Sequence, residues 1–465
     1  MQMLQMEDSA ATRRPARLPT HAILSYSAPE LGMGFMFILV NIYLLKFATD
    51  VLLIPPATMG LLFGLSRLWD ACADPVVGFL TDRTRSRFGR RRPWILASAL
   101  PLSVTFVMLW APPAVLVGRA LVLWTAGALF VFYTAIAMLE TAHAALGAEL
   151  TDDYHDRTRV FGLRRAVFGV GTLASVAALW AFGALPAPRR TGLAAGIIGS
   201  VVVGVSILWM VARTRERAEF RGRGAKNAVR AFRDVWRNPH ARILLLVFLI
   251  QQLGVTSLTT IMPFLSQYVL KTPEWTSYFI LALFASALLG VPIWIRFAPR
   301  AGKKAGLIGA MAVIGCAIAM LWFAGEGDVW LLLVVATVGG FAAAGTDVLF
   351  PSIQADVIDW DELTTGERKE GAYFAAWSFA AKGAGALSST LVGFALAAIG
   401  FAPNAEQTPA AQHGLRLLAA LGPAVCYAVG IALFSRFSLG EREHAGIQAA
   451  LQQRRRAEAA PGGAL

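Results

Sequence analysis

Charge is what this sequence has least of. Only 15% of its 465 residues are Asp, Glu, Lys or Arg, against about 25% in a water-soluble globular chain. A soluble enzyme or binding domain of this size is therefore excluded. The three cysteines, Cys72, Cys316 and Cys426, each fall inside an apolar run. They show neither disulfide nor metal-ligand spacing, so no disulfide framework or structural metal is expected. The sequence contains no HExxH, no nucleophile elbow and no GxxxxGK[ST]. Those absences remove the usual signatures of metalloproteases, serine hydrolases and ATP-driven pumps. An enzyme is not expected, and neither is a resident cofactor.

Apolar length, by contrast, is abundant. Hydrophobic residues make up 56% of the chain and recur in runs near 20 residues, enough to cross a hydrocarbon core of about 30 Å as helices. Such unbroken runs also exclude a transmembrane β-barrel, whose strands alternate over about ten residues. Twelve spans are predicted: 24–48, 57–82, 93–113, 119–149, 159–184, 191–212, 242–268, 275–297, 304–324, 328–357, 371–400 and 414–437.

The charges that exist are unevenly placed. With the polar, basic segment 1–23 on the cytoplasmic side, the inner loops 83–92, 150–165, 213–241, 296–304 and 358–370 and the tail after 437 hold nearly all Lys and Arg. The outer loops have only Arg119, Arg189, Arg190 and Lys271 near them. That asymmetry obeys the positive-inside rule and predicts that both termini are cytoplasmic. It also accounts for the net charge of +13 without nucleic acid. Linker 213–241, with nine basic and three acidic residues, divides the chain into an N-terminal half, 24–212, and a C-terminal half, 242–437, followed by tail 438–465. Six spans, a cytoplasmic linker and six more is the layout of a major facilitator transporter, with two helical halves around a central cavity. Anionic inner-leaflet lipids are expected partners of the basic loops, and a monomer is the expected state.

The second span breaks the apolar rule. In "SRLWDACADPVVGFLTDRTRSRFGRRRPW", Arg67, Asp70 and Asp74 lie at i, i+3 and i+7, on one helical face. Each such group costs about 2.5–3.5 kcal/mol to insert, so it faces a partner or a pathway. Two carboxylates one turn apart repel, and a bound Na⁺ or proton relieves that repulsion, as does a nearby arginine. Either cation binding or a plain Arg67–Asp70 strut satisfies the pattern. Beyond it come Gly78, Asp82, Arg83, Gly89, Arg90 and Arg91 within an arginine-rich loop.

That loop resembles the G-x-x-x-D-R-x-G-R-[KR]-[KR] element of the major facilitator superfamily, with three extra residues before its second glycine. The resemblance implies an inner gate. The longer stretch "RLWDACADPVVGFLTDRTRSRFGRRRPW" is similar to the second-helix signature of the glycoside–pentoside–hexuronide:cation symporters, the melibiose permease family. Two further stretches carry the same resemblance in the same order. They are "ADVIDWDELTTGERKEGAYFAAWSFAAKGAGAL" at 355–387 and "IGFAPNAEQTPAAQHGL" at 399–415.

The resemblance implies an all-α, twelve-helix carrier that couples Na⁺ or H⁺ to symport of a small solute, most often a sugar or glycoside. It places the cation at Asp70, Asp74 and Glu140, with Glu140 shared by the substrate. Arg67, Arg165 and Lys382 join the polar lining, and Asp356 and Asp359 join the cytoplasmic gate. Three positions depart from the family's pattern. Gly34 stands where a sugar-binding aspartate is expected, Ala137 where a threonine ligand is expected, and Ala144 where a sugar-stacking tryptophan is expected. The alternatives left open are a lysolipid carrier of the same fold and a membrane sensor without transport.

Other polar groups are weaker candidates. Asp347, deep in the tenth span, is expected to line the pathway opposite Lys382. Glu30 either faces the cavity or is an ordinary helix-end carboxylate. His143, three residues after Glu140, either shuttles protons or packs as a satisfied ring. Gln251 and Gln252 either meet substrate or join helices.

Overall fold

The structure is a computed structural model. It describes residues 18–150, 154–185, 187–214, 216, 233, 235–366 and 370–459. Segment 1–17, most of the linker, and Arg368 and Lys369 of the tenth-span motif lie outside the described residues. Among the described residues every regular element is helical. The helices are α1 (Thr20–Asp50), α2 (Pro56–Arg83), α3 (Arg92–Trp110), α4 (Gly118–Glu149), α5 (Tyr154–Ala184) and α6 (Pro188–Arg213). They continue with α7 (Pro239–Tyr268), α8 (Thr276–Ala301), α9 (Lys303–Ala319), α10 (Val329–Thr365), α11 (Glu370–Ala398), α12 (Pro409–Phe434) and α13 (Glu441–Ala459).

Eleven of these are long and apolar enough to cross a membrane. The sequence reading counts twelve. The one missing from the eleven is α2, 28 residues long, in which Arg67, Asp70 and Asp74 interrupt the apolar run. The polar tail after 437, helix-prone in sequence and without a chemical signature, forms a further helix, α13.

Local chemistry sets the helix ends. Pro239 opens α7, and the Asn238 side chain accepts from the backbone N–H of His240 and Ala241 at 3.0 and 3.2 Å. This is an N-cap that satisfies two otherwise unpaired donors. Thr408 caps α12 in the same way. Gly366 closes α10 in the left-handed region, with φ 75°, where a side chain would be strained. Midway, α1 widens into one π-helical turn over Leu39–Tyr43, an irregularity often found at functional positions.

Packing divides the chain into two compact units. Of the described residues, those within 18–39, 72–175 and 189–216 make up one, and those within 40–71, 176–188 and 233–459 the other. Within the first unit, small residues let helices approach closely. A Cβ on Gly199 would stand 3.1 Å from the Phe35 ring, and one on Gly32 would stand 2.6 Å from Val203 Cβ.

Candidate functional site

In the second unit α2 and α11 run antiparallel along a seam of small residues. A Cβ on Gly60 would lie 2.8 Å from Gly393 Cα and 2.8 Å from the Ser389 carbonyl oxygen. One turn on, Gly64 faces Thr390, whose hydroxyl donates to the carbonyls of Ala386 (2.9 Å) and Gly60 (3.2 Å). Next, the Arg67 guanidinium lies across Gly385, and last, Lys382 Nζ sits 2.9 Å from Asp70 Oδ2. The step of three to four residues on both helices keeps each pair on the shared face. Glycine at 60, 64, 385 and 393 therefore brings the two helices close enough for the ion pair at the end of the seam to form.

The seam makes a stability prediction. Gly60→Ala adds a methyl where the partner backbone leaves no room, and overpacking of this kind costs about 1–3 kcal/mol. Gly169→Ala on α5, where nothing lies within 4 Å of the new Cβ, is the matched control. Thermal unfolding in detergent should show a lower midpoint for the first variant only. Equal midpoints would mean that the seam is not tight.

Asp74 belongs to the first unit. There the Thr141 hydroxyl donates to its Oδ1 at 3.4 Å. Ala137, the position read as a lost threonine ligand, packs with Ala73 and Val77 in a small apolar cluster. The hydroxyl that meets Asp74 comes from α4 one turn after residue 137. Gly34 has a physical reason too. A Cβ there would run into the Phe168 carbonyl and the Thr172 N–H of α5, the latter at 2.9 Å, while Gly171 admits the Leu31 backbone. No side chain fits at residue 34, because α1 and α5 touch through backbone.

Glu140 is half-buried on α4 and interacts electrostatically with Arg164. Of the two adjacent arginines on α5, Arg164 is the one that reaches Glu30, by an Nε donation to Oε1. Arg165 is exposed, with its guanidinium carbon 5.0 Å from the centre of the Phe168 ring. Glu30 is buried beside His143 (Nδ1 to Oε1, 3.2 Å), and His143 is 1% exposed.

Asp347 of α10 is exposed and interacts electrostatically with the Tyr427 phenol of α12, to which Gln251 also bonds. Gln251 is buried and bonds from α7 to Tyr427 of α12. At the far end of α1 a network missed by sequence appears. Lys46 and Asp50 pair at 2.9 Å, and the Tyr268 hydroxyl donates to Asp50 Oδ2 at 2.7 Å.

The expected gate residues fall into two clusters. Gly89 has φ 102°, a backbone turn that suits glycine. It aims the N–H groups of Arg90, Arg91 and Arg92 at the Glu216 carboxylate, at 2.7, 2.8 and 2.7 Å. The same carboxylate sits at the start of α3, where the helix dipole favours negative charge. A Cβ on Gly89 would be 2.5 Å from a Glu216 oxygen. Arg83 lies over the Phe79 ring at 3.8 Å, and Gly78 leaves ordinary contact space toward Thr141. Asp82 ends α2, and its side chain lies outside the described residues. In the second unit Lys303 donates to both oxygens of Asp356 at 2.7 and 2.6 Å. His444 and Gln448 of α13 reach Asp359 at 3.1 and 2.6 Å. The tail helix is thus tied to the end of α10.

Helices of membrane-crossing length, with charged groups buried between them in pairs, define a polytopic membrane carrier. Comparisons with known proteins agree. The profile of the family described as MFS/sugar transport protein matches residues 25–441. The uncharacterized symporter YjmB of Bacillus subtilis (strain 168) is 27% identical over 453 residues, spanning 94% of this chain and 96% of its own. The inner membrane symporter YicJ of Escherichia coli (strain K12) is 26% identical, over 89% of this chain and 90% of its own. The isoprimeverose transporter of Lactiplantibacillus pentosus is 26% identical at the same coverages. Among solved structures, a bacterial homologue of the human lysosomal transporter Spinster aligns with TM-score 0.66 at 14% identity, over 94% of this chain and 98% of that one. The nucleoside transporter NupG aligns with TM-score 0.62 at 15% identity, over 89% and 98%. The chain belongs to the MFS/sugar transport family. It is a multi-span secondary transporter with the major facilitator fold.

Proposed function

We propose that the protein is a cation-coupled symporter of a small sugar-like solute, working by alternating access as a monomer in a bacterial inner membrane with both termini cytoplasmic. The observation that carries this reading is the Asp70–Lys382 pair, 2.9 Å across helices α2 and α11. An internal ammonium holds the carboxylate that an incoming Na⁺ or proton would neutralise. Cation entry displaces Lys382, and the freed ammonium becomes a donor for a hydroxylated solute. Binding of the two ligands is thereby linked, as a coupling free energy requires.

Asp74, with Thr141 behind it, and Glu140, in the field of Arg164, are the other proposed cation ligands. Glu140, Arg165, Arg67 and Asp347 are the proposed polar contacts for substrate. The sugar assignment is supported by the family and by the isoprimeverose transporter among its relatives.

Purified protein in proteoliposomes, given a panel of labelled mono- and disaccharides under an imposed Na⁺ or H⁺ gradient, should accumulate at least one of them. Collapse of the gradient by ionophore should stop accumulation. Uptake indifferent to both gradients, or stimulated only by lysolipids, would replace this reading.

A further inference from the structure

The strongest unassigned feature is the buried cluster around His143 in the first unit. Its ring stands between two acceptors. Nε2 lies 2.8 Å from the backbone carbonyl of Tyr26, and Nδ1 lies 3.2 Å from Glu30 Oε1. A neutral imidazole has one N–H, so it can satisfy only one of these oxygens. The other nitrogen then turns a lone pair toward an oxygen that also has only lone pairs to offer. One more proton, carried by the ring, makes both contacts hydrogen bonds.

The surroundings hold this arrangement in place. Arg164 of α5 donates to the same Glu30 oxygen, which clamps the carboxylate whether or not the proton is present. The Tyr26 ring stacks on His143 with centroids 4.3 Å apart, and its hydroxyl donates to the His143 carbonyl at 2.9 Å. Gly147 admits that ring, since a Cβ there would be 2.6 Å from Tyr26 Cζ.

The ionisable groups facing the cluster include Glu30 and Tyr26 from α1, Arg164 from α5, and Glu140 from α4 itself, one turn from His143. Lone pairs held against each other in a buried pair are costly, and one proton between ring and carboxylate removes that cost.

We propose that Glu30, His143 and Arg164 form a buried proton-binding site, separate from Asp70 and Asp74. This inference rests on the carrier reading only for its use: the proton enters from water, binds between ring and carboxylate, and leaves to water on the other side. It gives the protein a proton ligand whether the cation at Asp70 is Na⁺ or H⁺.

The test reads the ring directly, on the full chain in lipid nanodiscs with ¹⁵N-labelled histidine. The protein has six histidines, and the signal lost in His143→Gln assigns the one of interest. Across a pH titration, the two ring nitrogens should pass reversibly from both protonated to one protonated. Glu30→Gln should move that transition, whereas Tyr26→Phe, which keeps the backbone acceptor, should leave a transition in place. A ring fixed in one state throughout, either neutral or doubly protonated, would make the cluster a structural strut and overturn the proposal. The spectrum needs no substrate, so this failure and a failure to find transport are distinguishable. If His143→Gln does not fold, wild type against Glu30→Gln still decides the point.

Discussion

Asp70→Asn should abolish gradient-driven accumulation of solute while equilibrative exchange continues. The carboxylate is 5% exposed and sits 2.9 Å from Lys382. Removing its charge takes away the cation ligand and the carboxylate that Lys382 pairs with in the helix seam. Breaking one partner of a buried pair costs about 3–5 kcal/mol, so this variant should also melt early. The two effects separate in a cycle. Asp70→Asn combined with Lys382→Met removes both charges and should recover most of the lost stability, because the interaction term is shared. It should recover none of the accumulation. Thermal unfolding measures the first quantity, and uptake into proteoliposomes under a cation gradient measures the second. Normal accumulation by Asp70→Asn would sink the role given to this residue.

The sequence made the helices legible because each is a local, self-sufficient signal: a long apolar run between arginine-bearing loops. It made Arg67, Asp70 and Asp74 legible for the same reason, since three charges in an apolar run stand out without knowledge of any neighbour. It did not show which groups would meet them. Thr141, not residue 137, faces Asp74 across 67 positions of chain. Arg164 rather than Arg165 turns toward Glu30, which is 134 positions away.

Those choices are fixed by how two helices rotate against each other, and periodicity within one helix carries no record of that rotation. Gly34 is the clearest case. Read from a motif it looks like a lost ligand, and read from the packing it is where α1 meets the backbone of α5. Glu216 was equally hidden. One of three acids in a basic linker attracts no notice until three loop amides are found gripping it. The α10–α13 contact escaped because a polar helix-prone tail predicts a helix and says nothing of its dock.

The second large effect is expected at the Asp50 end of α1. Lys46 and Asp50 are an i, i+4 pair with side chains 6% and 4% exposed. The orientation is the less favourable one for a free helix, where the acid should come first. Its partners therefore come from elsewhere in the second unit. Tyr268 of α7 donates to Asp50 Oδ2 at 2.7 Å, and Thr49 donates to Oδ1 at 3.1 Å. Asn404, held at φ 56°, donates its side-chain amide to the Asp50 carbonyl at 2.6 Å and its backbone N–H to the Tyr268 hydroxyl at 3.1 Å. Gln267 accepts from Lys46.

Asp50→Ala removes the lysine's charge partner and the acceptor of the Tyr268 hydroxyl together, so it should cost about 3–5 kcal/mol for the broken pair and about 1–3 more for the unpaired donor. Asp50→Asn keeps an acceptor for Tyr268 and should cost less, while Lys46→Met with Asp50→Leu should approach wild type. Unfolding midpoints of the three variants in one detergent would rank them. If Asp50→Ala melts within about 0.5 kcal/mol of wild type, as an ordinary surface change does, water reaches this end of α1. The network then ties nothing down. If the expected order appears, Asn404 in the loop before α12 is what fastens that loop to α1 and α7, and Asn404→Ala should reproduce part of the loss.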